Sequence, residues 1–200
     1  MALIKLSNNG VKNITSVGSV GTGDLVFISK QTASSSASIS FTSGIDSTYK
    51  EYVFYFVNIH AGTTDAIFSF QADTGTNTNY NQTITSTAFT AQHGESGSPA
   101  SLFYNTGGDL AQGTGLQQLS EFNGTENDHN SSGYLHLFNP ASSVFVKHFI
   151  SVTNLIGGEE RNRNGYNAGY INTTTPITRI QFKMDSGNID SGDILLYGVN

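Results

Sequence analysis

The run Tyr49-Lys50-Glu51-Tyr52-Val53-Phe54-Tyr55-Phe56-Val57-Asn58-Ile59-His60 constrains the fold more than any other part of the chain. Side chains on a strand alternate between faces, so Tyr52, Phe54 and Phe56 share one side and Val53, Tyr55, Val57 and Ile59 the other. Both sides are apolar, and the residues are aromatic or β-branched, types that pack well on a pleated surface. A helix would have no polar stripe here, and turn chemistry bounds the run at Ser43-Gly44 and Ala61-Gly62. The pattern predicts a central strand covered on both sides. Each fully buried residue of it would contribute roughly 1.5–3 kcal/mol.

The rest of the composition agrees with strands joined by polar turns. The chain has 200 residues, with 22 Gly, 3 Pro, 12% charged residues and 36% hydrophobic residues. One all-β domain of this length is ordinary, and a helical bundle would want more Ala, Leu, Glu and Lys. Without cysteine, neither disulfides nor thiolate metal sites are available. Met1–Leu6 lacks a signal-peptide apolar core, and no run reaches membrane-spanning length, so a soluble protein made in a cytoplasm is expected. On that route the Asn-x-Ser/Thr sequons at Asn13, Asn81, Asn123, Asn130 and Asn172 carry no meaning. The net charge is −6, and no Lys or Arg lies between Lys50 and Lys147. Nucleic-acid binding, which needs clustered cations against phosphate, is not expected.

In chain order, residues 1–23 read as an N-terminal arm. Two short apolar segments, Ala2–Leu6 and Val11–Val17, lead to a Gly/Ser hinge at Gly18–Gly23. An arm that docks on a neighbouring subunit and an edge strand of the same domain are both open readings. Residues 24–200 form a single β domain in this reading. Leu25–Ser29 and Ile39–Phe41 precede the central strand, and Asp65–Gln71 follows it across a short turn, which reads as a hairpin. Asp73–Asn81 is a polar loop, Thr83–Ala91 a strand, and His93–Asn130 a region of long loops. In that region Leu116, Leu119 and Phe122 fall at helical spacing, which allows one helical turn. Tyr134–Phe138 and Val144–Thr153 flank Asn139-Pro140 as a hairpin. After a charged loop at Gly157–Asn164 come strands at Tyr166–Asn172, Thr178–Met184 and Ile194–Val199. In Thr178–Met184, Ile180, Phe182 and Met184 face in while Arg179, Gln181 and Lys183 face out. About ten antiparallel strands and no long helix suggest a two-sheet, jelly-roll-like sandwich.

Reactive constellations are weak throughout. His60, His136 and His148 could converge as metal ligands, but no motif fixes their spacing, and structural histidines are the plainer reading. The oxygen-rich loop Asp73–Asn79 and the carboxylates at Glu126-Asn127-Asp128 could hold calcium, yet the first lacks a closing acidic residue, and solvated turns serve as well. Gly94-Glu95-Ser96-Gly97 lacks the last glycine of a nucleophile elbow, because position 98 is Ser. No carboxylate pair stands out for glycoside hydrolysis. The sequence predicts neither an enzyme nor a bound cofactor or metal.

Several segments carry a resemblance. The opening Ile4–Thr15, the core Phe41–Asp46 with Glu51–Phe56, the segment Gly133–Pro140, and the ending Ser186–Ile194 with Leu196-Tyr197-Gly198 resemble virion structural proteins of tailed bacteriophages, particularly those of marine cyanobacteria. The resemblance implies a non-enzymatic protein located in the virion and made in the host bacterial cytoplasm. It implies other virion proteins as partners, either the major capsid protein or tail components. Two roles compete: a capsid decoration (cement) protein, and a tail-fibre or receptor-binding module that takes a host-surface glycan. The absence of shaft repeats favours decoration, as a homo-oligomer and most simply a trimer. A lectin-like glycan binder is the alternative outside the virion. Neither nucleic acid nor membrane is an expected partner.

Overall fold

The computed structural model describes residues 25–200, an all-β antiparallel structure with no helix. The expected arm at 1–23 lies outside the described residues. Among the described residues there are twelve strands, two more than the sequence count: β1 Leu25–Ser36, β2 Ile39–Phe41, β3 Glu51–Ala61, β4 Ala66–Thr74, β5 Ile84–Gly94, β6 Ala100–Tyr104, β7 Gln117–Asn123, β8 Ser131–Phe138, β9 Lys147–Gly157, β10 Arg161–Ile171, β11 Ile177–Met184 and β12 Ile189–Val199.

Pairing follows two long runs. One is β1-β12-β3-β8-β9-β10-β5-β6, and the other is β7-β4-β11-β2. A single residue pair, Asn123 with Gly157, joins them through β7 and β9. At the far end β2 lies beside β1, where Gln31 Nε2 donates to Ser40 O at 2.8 Å. The result is a nearly closed, barrel-like sheet.

The predicted central strand is central. Register places β3 between β12 and β8. Tyr52, Phe54 and Phe56 point into the core and are fully buried or nearly so. There they meet rings from the other run: Phe56 lies 5.1 Å from Phe68, Phe54 5.2 Å from Phe182, and Phe41 5.3 Å from Phe54. Edge-to-face geometry at these distances adds attraction beyond area burial.

Two details of β3 differ from the sequence reading. First, its other face is not fully covered: Val53 is buried, Tyr55 half-buried and Val57 exposed. Second, Ile59 belongs to the core side. A bulge at Asn58 (φ 53°) sets Asn58 and Ile59 against the single residue Gly192, and one extra residue reverses the parity of all that follow. Gly192 has φ 117°, and a Cβ there would stand 2.5 Å from Asn58 O, so the bulge requires glycine opposite it.

The segment after β3 also departs from expectation. A tight turn at Thr63–Ala66 does join β3 to β4, but the two strands do not pair. β4 pairs β11 and β7, so the chain crosses to the opposite wall. The reason is the rings: Phe68 and Phe70 are buried against Phe56 and Phe149 across the core, beside Phe182 on the neighbouring β11, which a flat hairpin would forbid. The Asn139-Pro140 hairpin is as expected, with Ser131 opposite Leu155 through Leu137 opposite Phe149. The strand after it begins at Lys147 rather than Val144. The predicted charged loop is mostly strand: β9 and β10 form a hairpin whose tip is only Gly158-Glu159-Glu160. β11 alternates as predicted, with Ile180, Phe182 and Met184 buried.

The long-loop region contains two strands that the sequence did not reveal. β6 pairs with β5 as a hairpin. β7 replaces the expected helical turn. Its residues Gln117–Glu121 are all buried although mostly polar. They lie against inward positions of β9, β10 and β5 that are polar too. Thr153 Oγ1 and Asn167 Nδ2 both donate to Leu119 O, at 2.6 and 3.2 Å. Glu121 accepts from Thr90 Oγ1, Asn105 Nδ2 and Arg163 Nη1. The interior therefore has an aromatic half under β3 and a hydrogen-bonded half under β10.

Candidate functional site

The sequence-derived candidates are not brought together. Val53 is opposite His136, seven residues along β3 from His60. The His60 ring bonds Glu126 O at 3.1 Å and lies 3.6 Å from Asp190 Oδ2. His136 pairs with the Glu51 carboxylate. His136 stands opposite Ile150, with His148 two residues along on the same face. Among the described residues no three His, Cys, Asp or Glu side chains cluster as metal ligands.

The loop after β4 has another explanation. Asp73 is buried, and its carboxylate accepts from the N–H of Thr74 (2.8 Å), the N–H of Tyr80 (2.9 Å) and Gln82 Nε2 (3.2 Å). It shapes the loop. Asp128 and Glu160 face the buried His129 at 4.0 and 3.6 Å. Ser96 Oγ donates to Ser98 O at 3.1 Å within the β5–β6 turn.

The outward face of the eight-strand run is the distinctive surface. Register places Tyr55 opposite Tyr134, Tyr134 opposite Val152, Val152 opposite Tyr166, Tyr166 opposite Phe89, and Phe89 opposite Tyr104. Directly opposed residues in antiparallel strands project to the same side. These six side chains therefore form one row across β3, β8, β9, β10, β5 and β6, five strand spacings or about 24 Å long. The row continues through Tyr197, 5.7 Å from Tyr55, to Phe27, 5.5 Å further. At its other end Phe89 and Tyr166 are stacked at 4.8 Å with planes 10° apart. Phe27, Phe89 and Tyr104 are about half exposed (56, 44 and 53%).

Neighbouring rows differ on the two sides. Toward one end of the strands lie His136, Ile150 and Ala168. Toward the other lie Ser132, Asn154, Asn164 and Ala91, followed by Ile156, Asn162 and His93. Asn164 Nδ2 donates to Tyr166 Oη at 2.7 Å, and Asn154 Nδ2 to Asn162 Oδ1 at 2.6 Å. A groove of about 520 Å³ runs along Glu95, Asn130, Ser132, Asn154, Ile156 and Asn162. A notch of about 350 Å³ opens beside the ring pair, lined by Thr87, Phe89, Ile150, Tyr166 and Ala168.

Charge on this face is sparse, with Glu51 on β3 paired to His136 and Glu95 on the rim of the groove. On the β1 side the Thr32 hydroxyl donates to Asp193 and Lys30 pairs with it at 3.1 Å, which together hold the Asp193 carboxyl below its usual range. At the opposite end Tyr104 Oη donates to Asp109 at 2.5 Å, which raises the phenol's pKa. Between them, no outward position of β8, β9, β10, β5 or β6 carries Asp, Glu, Lys or Arg.

Such a surface suits binding through ring contact and amide hydrogen bonds rather than acid–base or phosphate chemistry. In β8 the alternation of Tyr134, His136 and Phe138 with Leu135 and Leu137 places the aromatic rings on the outward side and the leucines in the core. Comparisons with protein-family models, curated proteins and solved structures give no match, so the function has to be read from this geometry.

Proposed function

We propose that the protein is a non-enzymatic structural component of a bacteriophage particle surface, most simply a capsid decoration protein that binds neighbouring virion subunits and its own copies. The observation that carries the docking part is the edge strand β6. Among the described residues it pairs only with β5, all five of its residues are exposed, and it includes Leu102 (69%), Phe103 (37%) and Tyr104 (53%). Natural edge strands are usually blunted by Lys, Pro or a covering element, because unpaired N–H and C=O groups invite another strand. An apolar open edge fits strand addition by a partner. Many copies on one lattice would hold through effective concentration even where one contact is weak. A trimer or other closed oligomer is the symmetric form of such contacts. The finer jelly-roll reading, with two facing walls, is also a proposal; its support is that the eight- and four-strand runs share one residue pair.

The test adds purified protein back to particles lacking it and follows retention and heat stability. Wild type should be retained and should raise the temperature of particle disruption. Leu102→Lys should keep the wild-type melting temperature and lose retention. A wild-type chain that neither binds nor stabilises such particles would overturn the assignment. The second reading, a glycan-binding module, is favoured by the aromatic and amide rows on the outward face.

A further inference from the structure

We propose that the outward face of β9, β10 and β5 is a binding site for a neutral oligosaccharide. Phe89 and Tyr166 would supply the apolar platform, and Ser132, Asn154, Asn162 and Asn164 the hydrogen bonds. The site is distinct from the β6 edge and does not depend on how the protein is mounted.

The chemistry of the face selects the ligand. A sugar presents patches of C–H groups alongside hydroxyls that both donate and accept. Here a stacked ring pair lies directly beside three side-chain amides, Asn154, Asn162 and Asn164, groups that also donate and accept. The amides are only partly used by the fold. Asn154 and Asn164 donate through Nδ2, to Asn162 Oδ1 and Tyr166 Oη. Among the described residues, Asn154 Oδ1, Asn162 Nδ2 and Asn164 Oδ1 make no hydrogen bond, so an acceptor, a donor and an acceptor remain for a ligand. Glu95, on the rim of the same groove, adds a carboxylate that can accept from hydroxyls.

Other occupants fit less well. Phosphate-bearing ligands need cations, and none occupies an outward position between β8 and β6. A flat protein surface could cover the rings, since interface cores are aromatic-rich and charge-poor. It would, however, bridge over the groove along Ser132, Asn154 and Asn162 and the shallow recess at Ala91, His93, Asn162 and Asn164. Extended sugar chains fill such grooves.

The full chain would be applied to a printed array of neutral oligosaccharides built from glucose, galactose, mannose, fucose and N-acetylglucosamine. Sialylated and sulfated glycans would be printed beside them, and binders titrated by calorimetry. Saturable binding to neutral members is expected, little changed by salt. Tyr166→Ala should weaken it about tenfold or more, and Tyr166→Phe, which keeps the ring, by only about two- to threefold. Asn154→Ala should weaken it about fivefold while retaining the wild-type melting curve, so the proposal stays testable if Tyr166→Ala folds poorly.

An array without neutral binders would overturn the proposal. So would binding restricted to sulfated glycans and abolished by salt, or neutral binding unaffected by both alanine variants. Concentration-dependent self-association lost in Tyr166→Ala, with no glycan bound, would assign the face to a second copy and also overturn it. Particle retention is a separate readout, so failure of either idea is distinguishable from failure of the other.

Discussion

Arg163 Nη1 meets Glu121 Oε2 at 3.3 Å with both side chains more than nine-tenths buried, which ties β10 to β7 through the interior. Glu121 Oε1 accepts from Thr90 and Asn105, while Arg163 Nη2 reaches the half-exposed Glu159 at 2.7 Å and its guanidinium stacks 4.5 Å over Phe122. Removing one member strands a buried charge. Glu121→Ala should therefore cost about 3–5 kcal/mol in urea unfolding. Glu159→Ala, at the solvent end, should cost no more than about 1 kcal/mol. Equal costs would mean that the buried pair is not what anchors β7.

Phe182 is the hub of the apolar half, within 6.5 Å of Phe41, Phe54, Phe56, Phe68 and Phe70 by ring centroid. A cavity there cannot close without moving both walls. Phe182→Ala should cost about 3–5 kcal/mol. Phe54→Asp should prevent cooperative folding at ordinary temperature, because it buries a charge with no partner. Val57→Asp, on the exposed side of the same strand, should change the melting temperature little. Comparable losses at Phe54 and Val57 would contradict the one-sided burial of β3.

What could be read from the chain was the apolar half. Tyr52, Phe54 and Phe56, and Ile180, Phe182 and Met184, announce inward faces by period-2 alternation alone. β7 could not be read this way, because its polar residues are buried against partners elsewhere in the chain: Gln117 Nε2 donates to Gly108 O, and Glu121 accepts from Thr90, Asn105 and Arg163. Leu116, Leu119 and Phe122 then mimicked a helical stripe. The aromatic row was hidden for a different reason. Tyr55 and Tyr134, or Phe89 and Tyr166, become neighbours through register between strands far apart in the chain, and no local period encodes that. The bulge at Asn58 likewise depends on Gly192, 134 positions away.

Asp73 offers a test of the calcium reading of its loop. Its two oxygens already accept three donors from Thr74, Tyr80 and Gln82, and calcium would have to displace them. Millimolar calcium should shift the melting temperature by less than about 1 °C. Asp73→Ala should destabilise by about 1–3 kcal/mol and speed hydrogen exchange at Tyr80. A calcium-dependent rise in melting temperature, lost in Asp73→Ala, would show that the loop rearranges around the ion.

Lys147 provides a pH signature of the fold. It is fully buried at the start of β9, where its ammonium donates to Phe145 O and Thr173 O, each at 3.0 Å. No carboxylate is among these partners, and burial lowers its pKa from the ordinary 10.5. A lysine whose pKa is lower folded than unfolded binds more protons in the unfolded chain throughout the interval between the two values. Unfolding is then disfavoured as pH rises through that interval, so stability should increase on the alkaline side of neutrality. Tyr52 acts in the opposite sense: burial raises its pKa above 10.0, and its effect enters only above that pH. Urea unfolding followed from about pH 7 to about pH 9.5 and compared between the wild type and Lys147→Gln isolates the lysine, because the substitution removes its titration alone. The wild type should gain stability across this range, and Lys147→Gln should show a flatter profile. A wild-type profile that falls with pH, or a gain that survives unchanged in Lys147→Gln, would show that the ammonium is solvated rather than enclosed by the two carbonyls.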